Sequence, residues 1–187
     1  MATDFFNDDM RLFIDRRVDW PRYFHLKRGN DVDAAAEVET YKSILEATGD
    51  ICADIGRDAR DHWHEEVRLE NGLVIRPPHI DAGYEKLRQA GLLCLPLGPE
   101  YGGYALPSIV NCAYLEMVSR ADTSLMTIIG LQTGVAGDIE KYGSEEIKNA
   151  MLPRLVSGEL QGSMDLTEPQ AGSDLGRITT RATDLPD

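Results

Sequence analysis

The sequence contains few cysteines and no long apolar run. Its three cysteines, Cys52, Cys94 and Cys112, are too few and too widely spaced for a disulfide framework or a zinc site. Each has apolar neighbours, so we expect buried free thiols. No apolar run approaches the roughly 20 residues of a membrane-spanning helix, and the N-terminus lacks the basic and apolar segments of a secretory signal. These absences predict a soluble, cytoplasmic protein.

Positive charge is also scarce. The 187 residues include 19 lysines and arginines against 32 acidic residues, a formal net charge of -13. Without a basic stripe to displace counterions, the chain is not expected to bind nucleic acid, and an anionic membrane surface is equally excluded as a partner. Hydrophobic residues make up 42% of the chain, which is enough for a packed core. The length corresponds to one ordinary domain or slightly more.

Apolar residues recur at helical spacing from Ala34 to Ala59, which predicts a long helix with Asp33 as its N-cap. Residues 61–78 resemble a long connection with a turn at Asn71-Gly72. The first 30 residues show no clear period, and the sequence does not determine their conformation.

Four more helices are predicted before residue 158. One covers about residues 79–89, with Gly91 closing it in a left-handed conformation. The Gly- and Pro-rich residues 92–107 form a tight loop. A helix begins near Pro107, and its predicted buried side carries Ile109, Ala113, Met117 and Ala121. An apolar helix covers residues 124–142 and is closed by Gly143; its glycines Gly130, Gly134 and Gly137 would let another backbone or a ligand approach closely. The last helix is capped by Ser144, and Pro153 ends or kinks it near Leu152.

After Gly158 the pattern changes. Leu160–Leu166 and Ile178–Thr183 are each predicted as strands, and two strands joined by a long loop do not form a stable sheet by themselves. The predicted organisation is therefore an N-terminal arm over residues 1–33, a helical domain over 34–158 and the truncated start of a middle β domain over 159–187.

The segment MDLTEPQAGSDLG, residues 164–176, is the most unusual stretch of the chain. Pro169 restricts the backbone, Gly172 can adopt positive φ, and Ser173 and Asp174 can bond nearby amides. Such a loop can turn several backbone N–H groups to one side, where they suit a carbonyl-rich ring edge or a phosphate. The Thr167 hydroxyl adds a further donor and acceptor. An ordinary β-turn would explain the same residues.

This segment resembles the flavin-binding signature T-E-P-x-A-G-S-D of the acyl-CoA dehydrogenase family. PEYGG, residues 99–103, is similar to that family's Gly-Gly loop, and KYGSEEIKNAMLPRLVSGE, residues 141–159, to the segment that leads into its β domain. The three motifs occur in the family's order and spacing and cover about residues 80–182. The first 75 residues match less well and resemble a longer-armed subgroup of methylthiopropionyl-CoA-type dehydrogenases.

The resemblance implies a mainly α fold: the N-terminal helical bundle of the acyl-CoA dehydrogenase fold, followed by the first strands of an incomplete β-barrel. In the family a C-terminal helical bundle follows, and FAD lies between barrel and bundle. The implied reaction is the α,β-dehydrogenation of an acyl-CoA thioester. The implied partners are the acyl-CoA substrate, an electron-transfer flavoprotein or similar acceptor, and further copies of the chain in a homo-oligomer.

The resemblance also implies a role for a contiguous set of residues. The positions that would line the flavin are Met164, Asp165, Leu166, Thr167, Glu168, Pro169, Gln170, Ala171, Gly172 and Ser173. Ser173 would also contact the CoA arm of the substrate. The family's catalytic carboxylate would lie beyond Asp187, so the chain alone is expected to lack turnover. Glu168 corresponds to a structural position of the family and is not assigned as the base.

Several alternatives remain open at this stage. The chain could be a non-catalytic interaction module that keeps the helical fold, or part of a related flavoprotein oxidase or monooxygenase. Gln132 and Thr133 could be satisfied helix polars or could border the acyl cavity. Tyr101 and Tyr104 could pack over that cavity or in the core, and packing in the core is favoured. The segment HWHEE, residues 62–66, offers metal-like side chains but lacks completing ligands, so no metal site is predicted.

Overall fold

The computed structural model describes residues 4–28 and 32–183. Within these ranges the chain forms seven α-helices, one two-stranded hairpin and two short 3-10 turns, at Pro99–Tyr101 and Leu175–Arg177. The helices and strands are α1 (Asp8–Arg16), α2 (Trp20–Arg28), α3 (Ala34–His62), β1 (Arg68–Glu70), β2 (Leu73–Ile75), α4 (Pro78–Gln89), α5 (Ser108–Ala121), α6 (Thr123–Tyr142) and α7 (Glu145–Val156). The fold is mainly helical, as predicted.

The long helix α3 lies at the centre of the bundle and packs against α2, α4 and α5, while α6 packs against α4, α5 and α7. The apolar stripe predicted for α3 is buried: Leu45 and Cys52 have no measurable exposure, and Ile55 is 2% exposed. A second, smaller cluster around Leu152 and Leu155 joins α7 to the loop after α4. The bundle is therefore held together by one large hydrophobic core and a second, smaller cluster beneath α7.

Three local signals for helix ends are confirmed. The Asp33 side chain accepts hydrogen bonds from the amides of Ala35 and Ala36 at the start of α3. Gly91 follows α4 with φ 68°, the left-handed conformation that glycine adopts without steric cost. The Ser144 hydroxyl accepts from the Ile147 amide at 3.3 Å and caps α7.

The predicted buried side of α5 is partly wrong. Met117 and Ala121 are buried as expected, but Ile109 is 38% exposed and the buried position beside it is Val110. Tyr114 is also buried, and its hydroxyl donates to the carbonyl oxygen of Leu92 at 2.6 Å. The first two turns of α5 therefore bury Val110 and Tyr114, each one residue further along the chain than predicted.

Pro153 does not end its helix. α7 continues to Val156, and the Ser157 amide donates to the Pro153 carbonyl at 2.9 Å. A proline in a helix removes one backbone donor. The buried side chains of Leu152 and Leu155 on either side of it hold the last turn in place, so the local penalty does not decide the structure.

The region predicted as an arm contains α1 and α2, which pack onto α3. The Trp20 indole N–H donates to the Ile14 carbonyl at 2.8 Å, and its ring lies 5.8 Å from the ring of Tyr41. The predicted connection 61–78 instead includes the antiparallel hairpin β1–β2. The predicted turn at Asn71-Gly72 is confirmed: both residues have positive φ, as a two-residue hairpin turn requires.

The two strands predicted near the C-terminus do not form. Between residues 158 and 183, the structure has a single isolated β-bridge, between Glu168 and Ala171. A strand is stabilised by the ladder to a neighbour, and neither Leu160–Leu166 nor residues 178–183 pair with another strand in the described part of the chain. Both segments are irregular.

The cysteine prediction holds for two of the three residues. Cys52 and Cys94 are buried, and burial raises the pKa of the Cys52 thiol to about 12 and that of Cys94 to about 11. Cys112, predicted to be buried, is exposed on α5. The shift of the buried face of α5 explains this, because Cys112 lies on the side of the helix away from Val110 and Tyr114.

Candidate functional site

The segment before the predicted loop crosses the surface of α6. A Cβ on Gly162 would lie 2.9 Å from Cβ of Val135, and a Cβ on Gly134 would lie 2.8 Å from Cε of Met164. The distance at Gly162 is too short for a real side chain beside the stiff Val135, so glycine is required for the present contact there. At Gly134 the close atom is the terminal methyl of Met164, which an added Cβ would push aside. The predicted close approach of a backbone or a ligand to Gly134 stays a prediction, because the group that approaches is the Met164 side chain, which rests on α6 at the start of the loop.

The loop itself is built on a tight turn. The Glu168 amide donates to the Ala171 carbonyl at 2.8 Å, and the Ala171 amide donates back to the Glu168 carbonyl at 3.1 Å. Pro169 and Gln170 occupy the tip, and Ala171 is 3% exposed. Gly172 does not have a positive φ. The chain therefore bends at Thr167-Glu168-Pro169 as predicted, but the backbone conformation at Gly172 does not require glycine.

The Glu168 carboxylate binds the chain that follows the loop. It accepts hydrogen bonds from the Thr179 amide at 2.9 Å and from the Thr180 amide at 2.7 Å. The hydroxyls of both threonines and the Gln170 side-chain amide also donate to it. These donors, with the Thr180 hydroxyl first, lower the Glu168 pKa from its usual 4.5 to about 2. The carboxylate is thus an acceptor already satisfied by the protein and a poor general base.

Other polar groups of the loop have no protein partner. Within residues 164–173, only the backbone amides of Glu168 and Ala171 have a protein acceptor; the other seven amides and the hydroxyls of Thr167 and Ser173 have none. Thr167 and Ser173 are exposed. Nine donors without a protein partner in one short segment suit a ligand with several acceptor atoms. The next residue, Asp174, uses its own carboxylate to accept from the Gly176 amide at 3.2 Å.

The side chains of Gln132 and Thr133 within α6 are both hydrogen-bonded within the protein. The Tyr84 hydroxyl donates to Oε1 of Gln132 at 2.9 Å, and Nε2 of Gln132 donates to the Leu155 carbonyl at 2.8 Å. The Thr133 hydroxyl donates to the Ile129 carbonyl at 2.8 Å. Gln132 is 1% exposed, so it ties α4, α6 and α7 together in the core.

The tyrosines of the Gly-Gly loop differ from each other. Tyr101 is partly buried against the cluster around Leu152 and Leu155, as predicted. Tyr104 is 44% exposed, so the prediction that it packs in the core is wrong. Its position follows from the loop: its amide donates to the Leu95 carbonyl, and its hydroxyl lies near Gly91 rather than over the core.

The histidine-rich segment that begins at the end of α3 makes one internal polar contact. His62 contacts Glu65 at 2.9 Å, and among the residues that the structure describes no group of three or more histidine, cysteine or acidic side chains could hold a metal ion. Sequence reasoning missed one buried pair nearby: Nε2 of His79 lies 3.4 Å from Oδ2 of Asp122, and both side chains are more than nine-tenths buried. Only the position of Asp122 before α6 hinted at a role, as a helix cap.

No helix in the described ranges is long and apolar enough to cross a membrane.

Comparison with known proteins identifies the domain. Residues 39–159 match the family model of the acyl-CoA dehydrogenase N-terminal domain. The chain is 32% identical over 179 residues, 95% of its length, to 3-methylmercaptopropionyl-CoA dehydrogenase of Ruegeria pomeroyi. It is 29% identical over 182 aligned residues, 87% of its length, to a butyryl-CoA dehydrogenase of Syntrophomonas wolfei. It is 39% identical over 84 residues to isobutyryl-CoA dehydrogenase of Dictyostelium discoideum, covering 45% of this chain and 20% of that protein.

The chain spans 29% of the length of each of the first two of these dehydrogenases. The match to the family model covers most of the helical bundle, from α3 through α7. The helical architecture, the family model and the full-chain relatives agree, and the chain therefore belongs to the acyl-CoA dehydrogenase family.

Proposed function

We propose that the chain is the N-terminal part of an FAD-dependent acyl-CoA dehydrogenase that oxidises an acyl-CoA thioester to its α,β-unsaturated product. The observation that carries the proposal is the loop over residues 164–173, which leaves nine donors without a protein acceptor while its carboxylate, Glu168, is bound by the protein. The names of the relatives, all acyl-CoA dehydrogenases of different substrates, support the reaction class.

The donor set fits a flavin. The pyrimidine edge of an isoalloxazine presents carbonyl oxygens and a ring nitrogen, which are acceptors for amide and hydroxyl donors. In this proposal the amides of residues 164–173 and the Thr167 hydroxyl hold that edge, and Ser173 contacts the CoA arm. When bound, the flavin accepts the hydrogen from the β-carbon as hydride. Met164, packed into the notch at Gly134, sets the distance between the loop and α6.

The proton-abstracting carboxylate is proposed to come from outside residues 1–187, with the adenine and pyrophosphate contacts. Glu168 is unsuited to the task, because a group with its pKa near 2 and its oxygens already accepting hydrogen bonds has little affinity for a proton. Residues 1–187 alone would then lack turnover. The working protein would be a cytoplasmic homo-oligomer that passes electrons to an electron-transfer flavoprotein or a similar acceptor.

The test uses the complete natural protein that contains this chain. Purified protein should show flavin absorbance near 450 nm, and an acyl-CoA substrate should bleach it without oxygen. Thr167→Ala should weaken flavin binding about tenfold, the scale of one lost hydrogen bond. Thr183→Ala, an exposed threonine of the same region, is the matched control and should not change binding.

Three results would contradict the proposal. Protein without flavin would favour a non-catalytic interaction module. Rapid release of hydrogen peroxide from the reduced protein in air would favour an oxidase or monooxygenase. Equal flavin affinities for the Thr167 and Thr183 variants would show that the Thr167 hydroxyl does not contact the flavin.

A further inference from the structure

A groove of about 310 Å³ lies between α1 and α5, away from the loop over residues 164–173. Its floor is apolar: Met10 and Ile14 of α1 are buried there. Its rim is apolar and open, since Phe13 is 44% exposed and Ile109 is 38% exposed. Large apolar side chains left exposed on both sides of a depression indicate a surface that gains free energy when a partner covers it.

The polar part of the groove is acidic. Asp9 of α1 and Glu116 of α5 both line it, and no lysine or arginine does. In the ranges that the structure describes, neither carboxylate takes part in an ion pair or a side-chain hydrogen bond. Asp15 on the same helix, by contrast, pairs with Lys42 at 3.3 Å. The groove therefore offers two unpaired negative charges, one from each helix.

One wall of the groove lies outside the residues that match the family model. The family model begins at residue 39, whereas α1 covers Asp8–Arg16. α5 lies inside the matched region. The groove is thus formed by α1, outside the matched region, and by α5, within it, and none of its lining residues belongs to the segment proposed to bind flavin.

We propose that this groove binds an amphipathic helix of a basic partner protein. Helix-in-groove recognition places apolar side chains of one helix face, at i and i+4, into a trough between two helices. A volume of 310 Å³ accommodates only one or two such side chains. Lysine or arginine residues flanking them would then meet Asp9 and Glu116. The acidic rim selects for basic partners and speeds the encounter, while the apolar floor supplies affinity.

Cys112 provides a reporter inside the groove. It lines the depression and is exposed, whereas Cys52 and Cys94 are buried. A maleimide therefore modifies Cys112 selectively in the folded protein, and an occupant of the groove protects it.

The experiment measures maleimide labelling of Cys112 in the purified protein as a synthetic 14-residue peptide is added. The peptide is helical, with leucines on one face and lysines beside them. A scrambled peptide of the same composition has no apolar face. We expect the amphipathic peptide to slow labelling at least tenfold and the scrambled peptide to have little effect.

Charge variants test the rim. The double variant Asp9→Asn with Glu116→Gln should weaken binding of the peptide about fivefold, the scale of two exposed ion pairs. The control, Asp138→Asn with Glu146→Gln, removes the same net charge from exposed carboxylates elsewhere on α6 and α7 and should leave binding unchanged. Circular dichroism of each variant checks that the helices are intact.

Three outcomes overturn the inference. Equal protection by the scrambled peptide would show unspecific attraction to an acidic protein. Equal weakening by the two double variants would show that no local carboxylate contributes. Labelling that slows with protein concentration alone, together with a dimer in sedimentation, would show that a second copy of the chain fills the groove. All of these readouts are independent of flavin binding.

Discussion

Replacement of Gln132 by leucine tests whether the bundle depends on one buried polar link. The Gln132 side chain accepts from the Tyr84 hydroxyl at 2.9 Å and donates to the Leu155 carbonyl at 2.8 Å, and it is 1% exposed. It thus joins three helices that are otherwise held by apolar contacts. Leucine has a similar volume, so the change removes the hydrogen bonds without opening a cavity.

The expected loss is about 2 kcal/mol of unfolding free energy. A buried donor left without an acceptor costs roughly 1–3 kcal/mol, and here that donor is the Tyr84 hydroxyl. The Leu155 carbonyl suffers less, because it also accepts from the Gly158 amide at 3.2 Å. For a domain of this size, a loss of that order corresponds to a drop of about 4–8 °C in Tm.

Urea denaturation of the single variants and of the double variant separates the causes. Tyr84→Phe alone should cost about 1 kcal/mol, the scale of one net hydrogen bond. The double variant should be no less stable than Gln132→Leu, since the unpaired hydroxyl is then gone. A Gln132→Leu protein as stable as the wild type, or costs that simply add in the double variant, would refute the reasoning.

Three further predictions follow from the contacts of the loop, of α6 and of the thiols. Glu168→Ala should speed hydrogen exchange of the Thr179 amide at least tenfold at neutral pH, because the amide loses its acceptor. In the wild type, this protection is full above the usual carboxyl pKa of 4.5 and is lost only as pH falls through about 2. An unchanged exchange rate would disprove the contact. Gly137→Ala should raise the unfolding free energy by about 1 kcal/mol, because an added Cβ meets no atom within 4 Å. Gly134→Ala should raise the unfolding free energy by less, because the Met164 side chain must move. Thermal denaturation compares the two variants, and equal increases would exclude the Met164 contact. A thiol reagent at pH 8 should count one reactive cysteine in the folded protein, Cys112, and all three after unfolding; more than one in the folded state would contradict the burial.

The helix ends could be predicted because their signals are local. A side chain at Asp33 or Ser144 caps the amides two or three residues later, whatever the rest of the chain does. Gly91 likewise reflects a conformation of its own backbone. The face of α5 could not be predicted in the same way. Ile109 and Val110 are equally apolar, and only the packing of neighbouring helices decides which of them is buried.

The strand predictions were wrong for a related reason. Alternating side chains indicate that a segment can be extended, but a ladder also requires a partner strand, which sequence periodicity does not supply. Residues 160–164 pack against α6 and pair with no strand in the described part of the chain. The bend of the candidate loop was predictable from Pro169, but the partners of the Glu168 carboxylate were not. Thr179 and Thr180 lie 11 and 12 residues further along, and nothing in their local pattern links them to the turn.

The position of the candidate loop depends on α6 more than on its own turn. The bonds between Glu168 and Ala171 fix the shape of the turn but connect it to no helix. The link to the bundle comes from Gly162 against Val135 and from Met164 in the notch at Gly134. A substitution that fills this notch would therefore displace the Met164 side chain, and through it the start of the loop, while α6 remains folded. If the loop holds a flavin as proposed, Gly134→Ala should weaken flavin binding without lowering Tm, whereas Gly137→Ala, one helical turn away, should raise Tm and leave flavin binding intact. A Gly134 variant with wild-type flavin affinity would show that the loop is positioned by something other than α6.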